Sequence, residues 1–416
     1  MSYPFSVQVT FDFSSGPTFG YPFVLDDPAY GILGTNVLAD SASNVVDISS
    51  SVTNISIKGG YNLLTDQFEA STCMVRVYDP NGDWNPQNVN SPYYGKIIPN
   101  RKVRVSTLYN GTAHFLFSGY ASSYNYTYPK DQTVGYVDIL CTDAFRLFQL
   151  VTVSTIAGAT AGQTTGQRIN TILDAINWPS TLRSIDTGDT ICQADPGGTR
   201  TALGALKVVE ATEQGAFYIT GEGNAIFKSR SNVEATNGAA PITVFNNNGT
   251  AIGYYNITFA HDDKLVINST TVTNVGGTPQ TASDAASQEK YFKHSYALPN
   301  MLTQTDADAL NIAQLYTATR KDTTIRIDSL TLDLSTPDYS AGVTAGLSLD
   351  YFNTVQITSD TQGTTSITKT LQVMGQAYEI TPAKFYATFT TSEPIDEAFI
   401  LDSDLYGILD QSMITY

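Results

Sequence analysis

Apolar and polar residues alternate in short runs over residues 46–141, and glycine, proline and asparagine interrupt these runs. Successive side chains of a β-strand point to opposite faces, so this pattern predicts strands with one buried face. Residues 72–77 and 102–105 are the clearest examples. Between them, residues 79–86 contain two prolines, a glycine and two asparagines, which favour tight turns. The first third of the chain is therefore predicted to be a β-sheet with a loop at 79–86.

The spacing becomes helical after residue 143. Residues 144–150 predict a short helix, and the low-complexity stretch 157–162 predicts a linker. Two longer helices are predicted next, and each has a residue that ends it. The first carries Ile169, Ile172, Leu173 and Ile176 and stops before Pro179; the second covers 202–214 and stops at Gly215.

Short strands are predicted at 216–219 and 225–228, with a glycine-containing turn between them. Alternation returns after Tyr254, as in residues 264–267 and 270–272, and continues in 325–334 and 383–389. One helix is predicted at 305–319, where acidic residues in the first turn favour the helix dipole.

These elements predict a mainly β (α+β) fold of two tube-like β-barrel or sandwich domains with a small inserted α+β domain. We expect the first β domain at 1–150, completed by 240–283, the insert at 151–239 and the second β domain at 284–416. A chain of 416 residues is expected to contain several cores.

An internal repeat lies near the two ends of the chain. Residues 23–33 recur as 399–409 with seven of eleven positions identical. One interpretation is that each β domain carries an equivalent apolar docking segment, and the other is shared ancestry without shared contacts. The candidate interface residues are Phe23, Leu25, Tyr30, Ile32, Leu33, Phe399, Leu401, Tyr406, Ile408 and Leu409.

The formal net charge of -17 argues against tight binding of nucleic acid, which requires clustered lysine and arginine. The acidity favours solubility, or alternatively a channel wall to which DNA does not adhere. Cys73, Cys141 and Cys192 have neither disulfide-framework nor zinc-site spacing, which predicts folding in a reducing cytoplasm. We expect neither a secretion signal nor a membrane anchor.

The sequence offers little that predicts catalysis or a cofactor. His114, His261 and His294 lie outside any recognisable nucleophile–base motif, and Gly59-Gly60 and Gly276-Gly277 are better explained by turns than by phosphate binding. We therefore predict no enzyme activity, no cofactor and no metal.

Three features leave alternatives open. Asp79, Asn81, Asp83 and Asn85 imitate half of a calcium loop, but the distal glutamate is missing and a side-chain-capped turn is favoured. The carboxylate pairs Asp262-Asp263 and Asp402/Asp404 could form a glycosidase pair, although surface turns explain them better. The 25 tyrosines suit either subunit interfaces, which we favour, or a sugar-stacking face.

The chain resembles the tail-tip hub proteins, also called minor tail or baseplate hub proteins, of long-tailed bacteriophages and tail-like particles. The likeness covers nearly the whole chain. It rests on residues 30–36, 55–60, 66–70, 79–86, 91–95, 99–101, 117–120, 141–144, 168–179, 213–215, Asn268 and 276–277. Residues 81–84 depart from the family's more charged loop, so any contact made by that loop is not carried over.

The resemblance implies a homotrimer of two-domain subunits whose six similar modules match a sixfold ring above them. It implies a hub at the virion tail tip, made in the host bacterial cytoplasm, which closes and extends the tail tube, adapts sixfold to threefold symmetry and gates DNA ejection. The implied partners are the distal tail protein ring, the tape-measure protein and a central spike, fibre or receptor-binding protein. Viral DNA would only pass through the lumen. The alternative is a virion-associated carbohydrate-binding or polysaccharide-degrading protein.

Overall fold

A computed structural model of the chain describes residues 5–14, 16–19, 45–130, 135–236, 239–360 and 366–393. Strands account for 41% and helices for 20%, so the prediction of a mainly β fold is confirmed. None of the helices in these ranges has the length and hydrophobicity needed to span a lipid bilayer.

The first set of strands forms an antiparallel sheet in the order β3-β4-β7-β6-β5-β1-β2. Residues 72–77 and 102–105 lie in strands, as the alternation predicts, and Cys73, Val75 and Val77 point into the core. The strands are β1 (Ser6–Asp12), β2 (Val45–Asp47), β3 (Val52–Asn62), β4 (Gln67–Tyr78), β5 (Lys102–Tyr109), β6 (Thr112–Thr127) and β7 (Tyr136–Thr142).

An α+β unit follows, with α1 to α4 and β8 to β12. The predicted helices and the antiparallel pairing of β11 with β12 are confirmed. The elements are α1 (Phe145–Leu150), β8 (Thr152–Val153), α2 (Thr165–Ala175), β9 (Arg183–Ile185), β10 (Arg200–Thr201), α3 (Ala202–Glu213), β11 (Ala216–Ile219), β12 (Ala225–Lys228) and α4 (Arg230–Glu234).

Two details of this unit differ from prediction. The stretch 157–162, predicted as a linker, contains no helix or strand, but Ala159 within it is buried in the core of the unit. The left-handed residue after α3 is Gln214 rather than Gly215. Gly215 serves a different purpose, since a Cβ there would come within 2.3 Å of the Lys228 carbonyl oxygen.

The next stretch contains two strands that do not pair with each other, followed by a small unit that the sequence patterns did not predict. In that unit, β15 lies between β16 and β17, and α6 covers the sheet through Ile312 and Ala313. Residues 264–267, predicted as a strand, form a turn in which the Val266 N–H bonds to the Asp263 carbonyl. The elements are β13 (Thr243–Asn246), β14 (Asn256–Ala260), β15 (Ser269–Asn274), β16 (Gln280–Ser283), α5 (Ala285–Tyr291), β17 (Ser295–Met301) and α6 (Asp306–Arg320).

The last elements complete a second set of strands. They are β18 (Arg326–Asp333), α7 (Ser340–Ser348), β19 (Thr354–Ser359), β20 (Ile367–Ile380) and β21 (Phe385–Ser392). We expected residues 240–283 to complete the first β domain, but β13 pairs with β19 and β14 pairs with β18. The backbone N–H and C=O groups of β13 and β14 therefore form hydrogen bonds with the second set of strands and not with the first. The division into domains otherwise stays a prediction.

The two sets of strands join in one sheet through β3 and β20. Gly60 faces Gly375 at this junction, and a Cβ at Gly60 would lie 2.4 Å from the Gly375 Cα. Both sets also share one hydrophobic core, in which the rings of Phe5 and Phe385 meet edge to face at 5.1 Å. The fold therefore couples the first and last thirds of the chain directly.

Candidate functional site

The ten candidate interface residues of the repeat lie outside the described residues. They are Phe23, Leu25, Tyr30, Ile32, Leu33, Phe399, Leu401, Tyr406, Ile408 and Leu409. The docking role predicted for them stays a prediction. Asp402 and Asp404 also lie outside the described ranges.

A cavity of about 390 Å³ opens where four parts of the chain meet. These parts are the β3–β4 turn, the end of α3 with α4, the β15–β17 unit with α6, and the middle of β20 with the end of β21. Its wall is largely apolar and includes Val233, Leu298, Leu315, Phe352 and Met374. A cavity of this size and lining suits apolar groups.

Aromatic rings cover much of the remaining wall. The rings of Tyr296 and Tyr316 stack at 5.4 Å, and Tyr61 packs against Phe68 at 5.2 Å. Burial, together with the nearby Asp66, raises the pKa of Tyr61 well above its ordinary value. Burial likewise raises the pKa of Tyr296 to about 12. Both phenols therefore stay neutral at physiological pH.

A bidentate ion pair closes one side of the cavity. The Arg320 guanidinium donates to both Asp66 carboxylate oxygens at 2.7 Å, and the pair is nearly withdrawn from solvent. Burial alone would lower the pKa of Arg320, but the Asp66 carboxylate raises it above its ordinary value. This pair fastens the end of α6 to the turn between β3 and β4.

The other charged groups around the opening also pair with each other. Arg326 contacts Asp262 at 3.0 Å, and Arg230 contacts Glu234 at 3.3 Å. Glu393 accepts from Lys369 at 2.5 Å and from the Thr324 hydroxyl at 3.2 Å. The cavity thus has an apolar interior and a rim of mutually neutralised charges.

A second buried site lies between the two sets of strands and the α+β unit. There the Asp143 carboxylate accepts hydrogen bonds from the Ser71 N–H at 2.6 Å and the Phe145 N–H at 2.9 Å. Tyr351 and Tyr378 line the same small space. Burial raises the pKa of Asp143 to about 7, although the two backbone donors act in the opposite direction.

The histidines occupy ordinary positions. His114 lies in β6 opposite Thr107, and His261 is exposed. The His294 Nε2 atom lies 3.0 Å from the Tyr291 carbonyl oxygen and 3.6 Å from Asp263. Within the described ranges, no histidine ring is hydrogen-bonded to a serine, threonine or cysteine side chain that it could activate as a nucleophile.

The loop at 79–86 forms a side-chain-capped turn. The Asp79 carboxylate accepts from the N–H groups of Asp83 at 2.7 Å and Trp84 at 3.2 Å, and from the Tyr128 hydroxyl at 2.8 Å. Trp84 is buried against Phe11 at 5.1 Å. Across the described ranges, no cluster of three or more His, Cys, Asp or Glu side chains could hold a metal ion.

The remaining sequence candidates are structural in the described part of the chain. Asp262 forms ion pairs with Arg326 at 3.0 Å and with Lys264 at 3.4 Å. Gly276 lies in a turn with positive φ, as predicted, but Gly59 and Gly60 lie within β3 and not in a turn. Cys73 and Cys141 are buried free thiols on opposite strands, and Cys192 is also buried and free.

Sequence patterns gave little indication that Glu213 organises the α+β unit. Its buried carboxylate accepts from the Thr165 hydroxyl at 2.7 Å and from the N–H groups of Asp189, Thr190 and Arg230 at 2.8, 2.9 and 3.2 Å. The only signal was its place among the residues that carry the family resemblance. Glu213 thereby connects the ends of α2, α3 and α4.

Comparisons with known proteins identify the fold. No protein-family model and no curated protein matches the chain. The crystal structure of a tail protein from Neisseria meningitidis MC58 matches with a TM-score of 0.55 and 10% identity, over 84% of this chain and 94% of that chain. The 43 kDa tail protein of prophage MuSo2 from Shewanella oneidensis matches with a TM-score of 0.56 and 12% identity, over 94% and 99%. The chain therefore has the mainly β fold of these tail proteins, as the sequence resemblance predicted.

Proposed function

We propose that this chain, which has the fold of phage tail proteins, is a structural subunit of a bacteriophage tail and not an enzyme. The observation that carries the proposal is the extent of the similarity. The fold of the MuSo2 tail protein is matched over 94% of this chain and 99% of that one. Such agreement concerns the whole architecture and not one common module.

The finer proposal is a hub at the tail tip that closes and extends the tube, adapts sixfold to threefold symmetry and gates DNA ejection. Three subunits, each with two sets of strands, would present six similar modules to a sixfold ring. The joining of both sets in one sheet supports this proposal, because it would hold the two modules at a fixed spacing. The partners would be the distal tail protein ring, the tape-measure protein and a central spike or fibre protein.

Assembly supplies the direct test. Size-exclusion chromatography with light scattering is expected to show a trimer of 44.9 kDa subunits, or a larger complex when the distal tail protein is added. Cryo-electron microscopy of that complex is expected to show three copies beneath a sixfold ring. A chain that stays monomeric with and without the partner contradicts the hub proposal.

A carbohydrate-binding or polysaccharide-degrading virion protein is the second candidate. It is favoured by Tyr126 and Tyr128, whose rings stack at 6.3 Å and remain partly exposed at the end of β6. Stacked tyrosines suit the apolar face of a sugar. Release of reducing sugar from host capsule, lost in a Tyr126→Ala/Tyr128→Ala variant, would favour this candidate over the hub.

A further inference from the structure

One aromatic side chain of the β15–β17 unit is almost completely exposed. Phe292, the residue that follows α5, is 84% exposed, more than any other large apolar residue in the described ranges. An apolar ring in water costs free energy that burial would recover. A partner that covered this ring would therefore gain binding free energy from it.

The backbone of Phe292 is also strained. Its φ of +62° and ψ of 178° lie where residues other than glycine are rarely found. The buried side chain of Asn268 holds this conformation, because its Nδ2 donates to the Phe292 carbonyl oxygen at 2.8 Å and its Oδ1 accepts from the His294 N–H at 2.8 Å. Strain of this kind is concentrated at binding sites, where the fold fixes a side chain in advance.

The apolar cavity borders the same unit and has matching chemistry. Tyr291, next to Phe292, shares a hydrogen bond of 3.1 Å with Thr323, which lines the cavity. The volume of about 390 Å³ is large enough for a phenyl ring, and the rim arginines already have carboxylate partners, so its entry leaves no charge unpaired. Phe292 does not line the cavity of its own chain.

We propose that Phe292 of one copy inserts into the apolar cavity of a second copy of this chain. Each copy contributes one phenyl ring and one cavity, so the contact is directional and can close into a trimer. The fixed backbone at Phe292 reduces the entropy that association would otherwise cost. The inference rests on the proposed function as a tail hub subunit, and it assigns a contact that the trimer would use.

An anionic lipid surface is the alternative occupant. Lys290 and Lys293 are exposed on either side of Phe292 and suit lipid phosphates. The formal net charge of -17 opposes the approach of the whole chain to an anionic surface, and a fluid bilayer gains little from a fixed backbone. These observations favour a shaped protein cavity.

Two complementary variants of the full-length chain test the contact. Phe292→Ala removes the phenyl ring and keeps the cavity, whereas Leu298→Trp fills the cavity and keeps the ring. Each variant alone is expected to associate at least tenfold more weakly than the unmodified chain in sedimentation equilibrium. An equimolar mixture is expected to associate more strongly than either variant alone, because the ring of one variant meets the open cavity of the other.

Val89→Ala truncates another exposed apolar residue and is the matched control, which is expected to leave association unchanged. Val233→Trp, also on the cavity wall, replaces Leu298→Trp if thermal unfolding shows that the latter does not fold. Unchanged association of Phe292→Ala, or no recovery in the mixture, would overturn the proposal. Phe292-dependent sedimentation with phosphatidylglycerol vesicles would also overturn it, because lipid would then be the occupant.

Failure of this contact is distinct from failure of the hub proposal. If the unmodified chain and Phe292→Ala form equally stable trimers, the hub proposal stands and the Phe292 contact is wrong. If the unmodified chain stays monomeric with and without the distal tail protein, both are contradicted.

Discussion

Asp143 shows how burial alone can make one residue sensitive to pH. Its carboxyl group is buried beside Ser71 and Phe145, and burial raises its pKa to about 7, against an ordinary value near 3.9. Because the folded state binds the proton more tightly, this group's contribution to stability is fully present below about pH 4. It is lost as the pH rises through about 7.

Asp143→Asn is therefore expected to stabilise the protein progressively, relative to the unmodified chain, as the pH rises from 4 to 7. The asparagine side chain stays neutral, and its oxygen accepts one of the two backbone hydrogen bonds. The difference in the free energy of unfolding between the two proteins is expected to reach up to about 4 kcal/mol. Urea unfolding of both proteins at several pH values measures it. A difference in the free energy of unfolding that does not change with pH would refute the assignment.

At the scale of elements, the small unit of β15, β16, β17 and α6 is fastened to the first set of strands by few polar contacts. Arg320 at the end of α6 pairs with Asp66 in the turn after β3, and the Tyr296 hydroxyl lies 3.4 Å from the Thr65 carbonyl oxygen. Removing one partner of a buried pair leaves the other charge uncompensated. Among the described contacts between the unit and the first set of strands, this ion pair is therefore expected to contribute most.

Asp66→Asn is expected to lower the free energy of unfolding by about 3 to 5 kcal/mol, because Arg320 stays buried without its counter-charge. The matched control is Asp138→Asn, which removes the partner of Arg76 in a more exposed ion pair and is expected to cost about 1 kcal/mol or less. Urea unfolding of the two variants provides the comparison. Equal losses would mean that the Arg320 pair has no special role.

At the scale of the whole molecule, both sets of strands share a sheet and a core. Phe5 in the first set of strands and Phe389 in the second set belong to one hydrophobic cluster, whereas Val272, Ile312 and Ala313 belong to the separate core of the α6 unit. A shared core is expected to unfold as one cooperative unit, and a separate core can open on its own.

Native-state hydrogen exchange is expected to show the same opening free energy for amides of β4 and of β21, equal to that of global unfolding. Amides of β15 and α6 serve as the internal comparison and are expected to open at lower free energy. If the amides of β21 exchange well before those of β4, the two sets of strands are independent modules.

The sequence by itself determined the elements whose causes are local. Alternation placed β4 and β5, helical spacing placed α2 and α3, and acidic residues in the first turn indicated α6. Thr164 with Gln167, and Thr305 with Asp308, satisfy the first N–H groups of α2 and α6 through side chains three residues apart. Such signals depend only on residues close together in the sequence, so they can be recognised without the tertiary structure.

Only the tertiary structure decided which strands pair and where a cavity opens. Alternation with a period of two indicates a strand but not its partner. No local feature therefore showed that β13 and β14 pair with the second set of strands and not, as expected, with the first. Asp66 and Arg320 are 254 residues apart, and neither carries a motif that reveals the other. The cavity exists because four distant parts of the chain converge without filling the space between them, which is a property of their packing and not of any one segment.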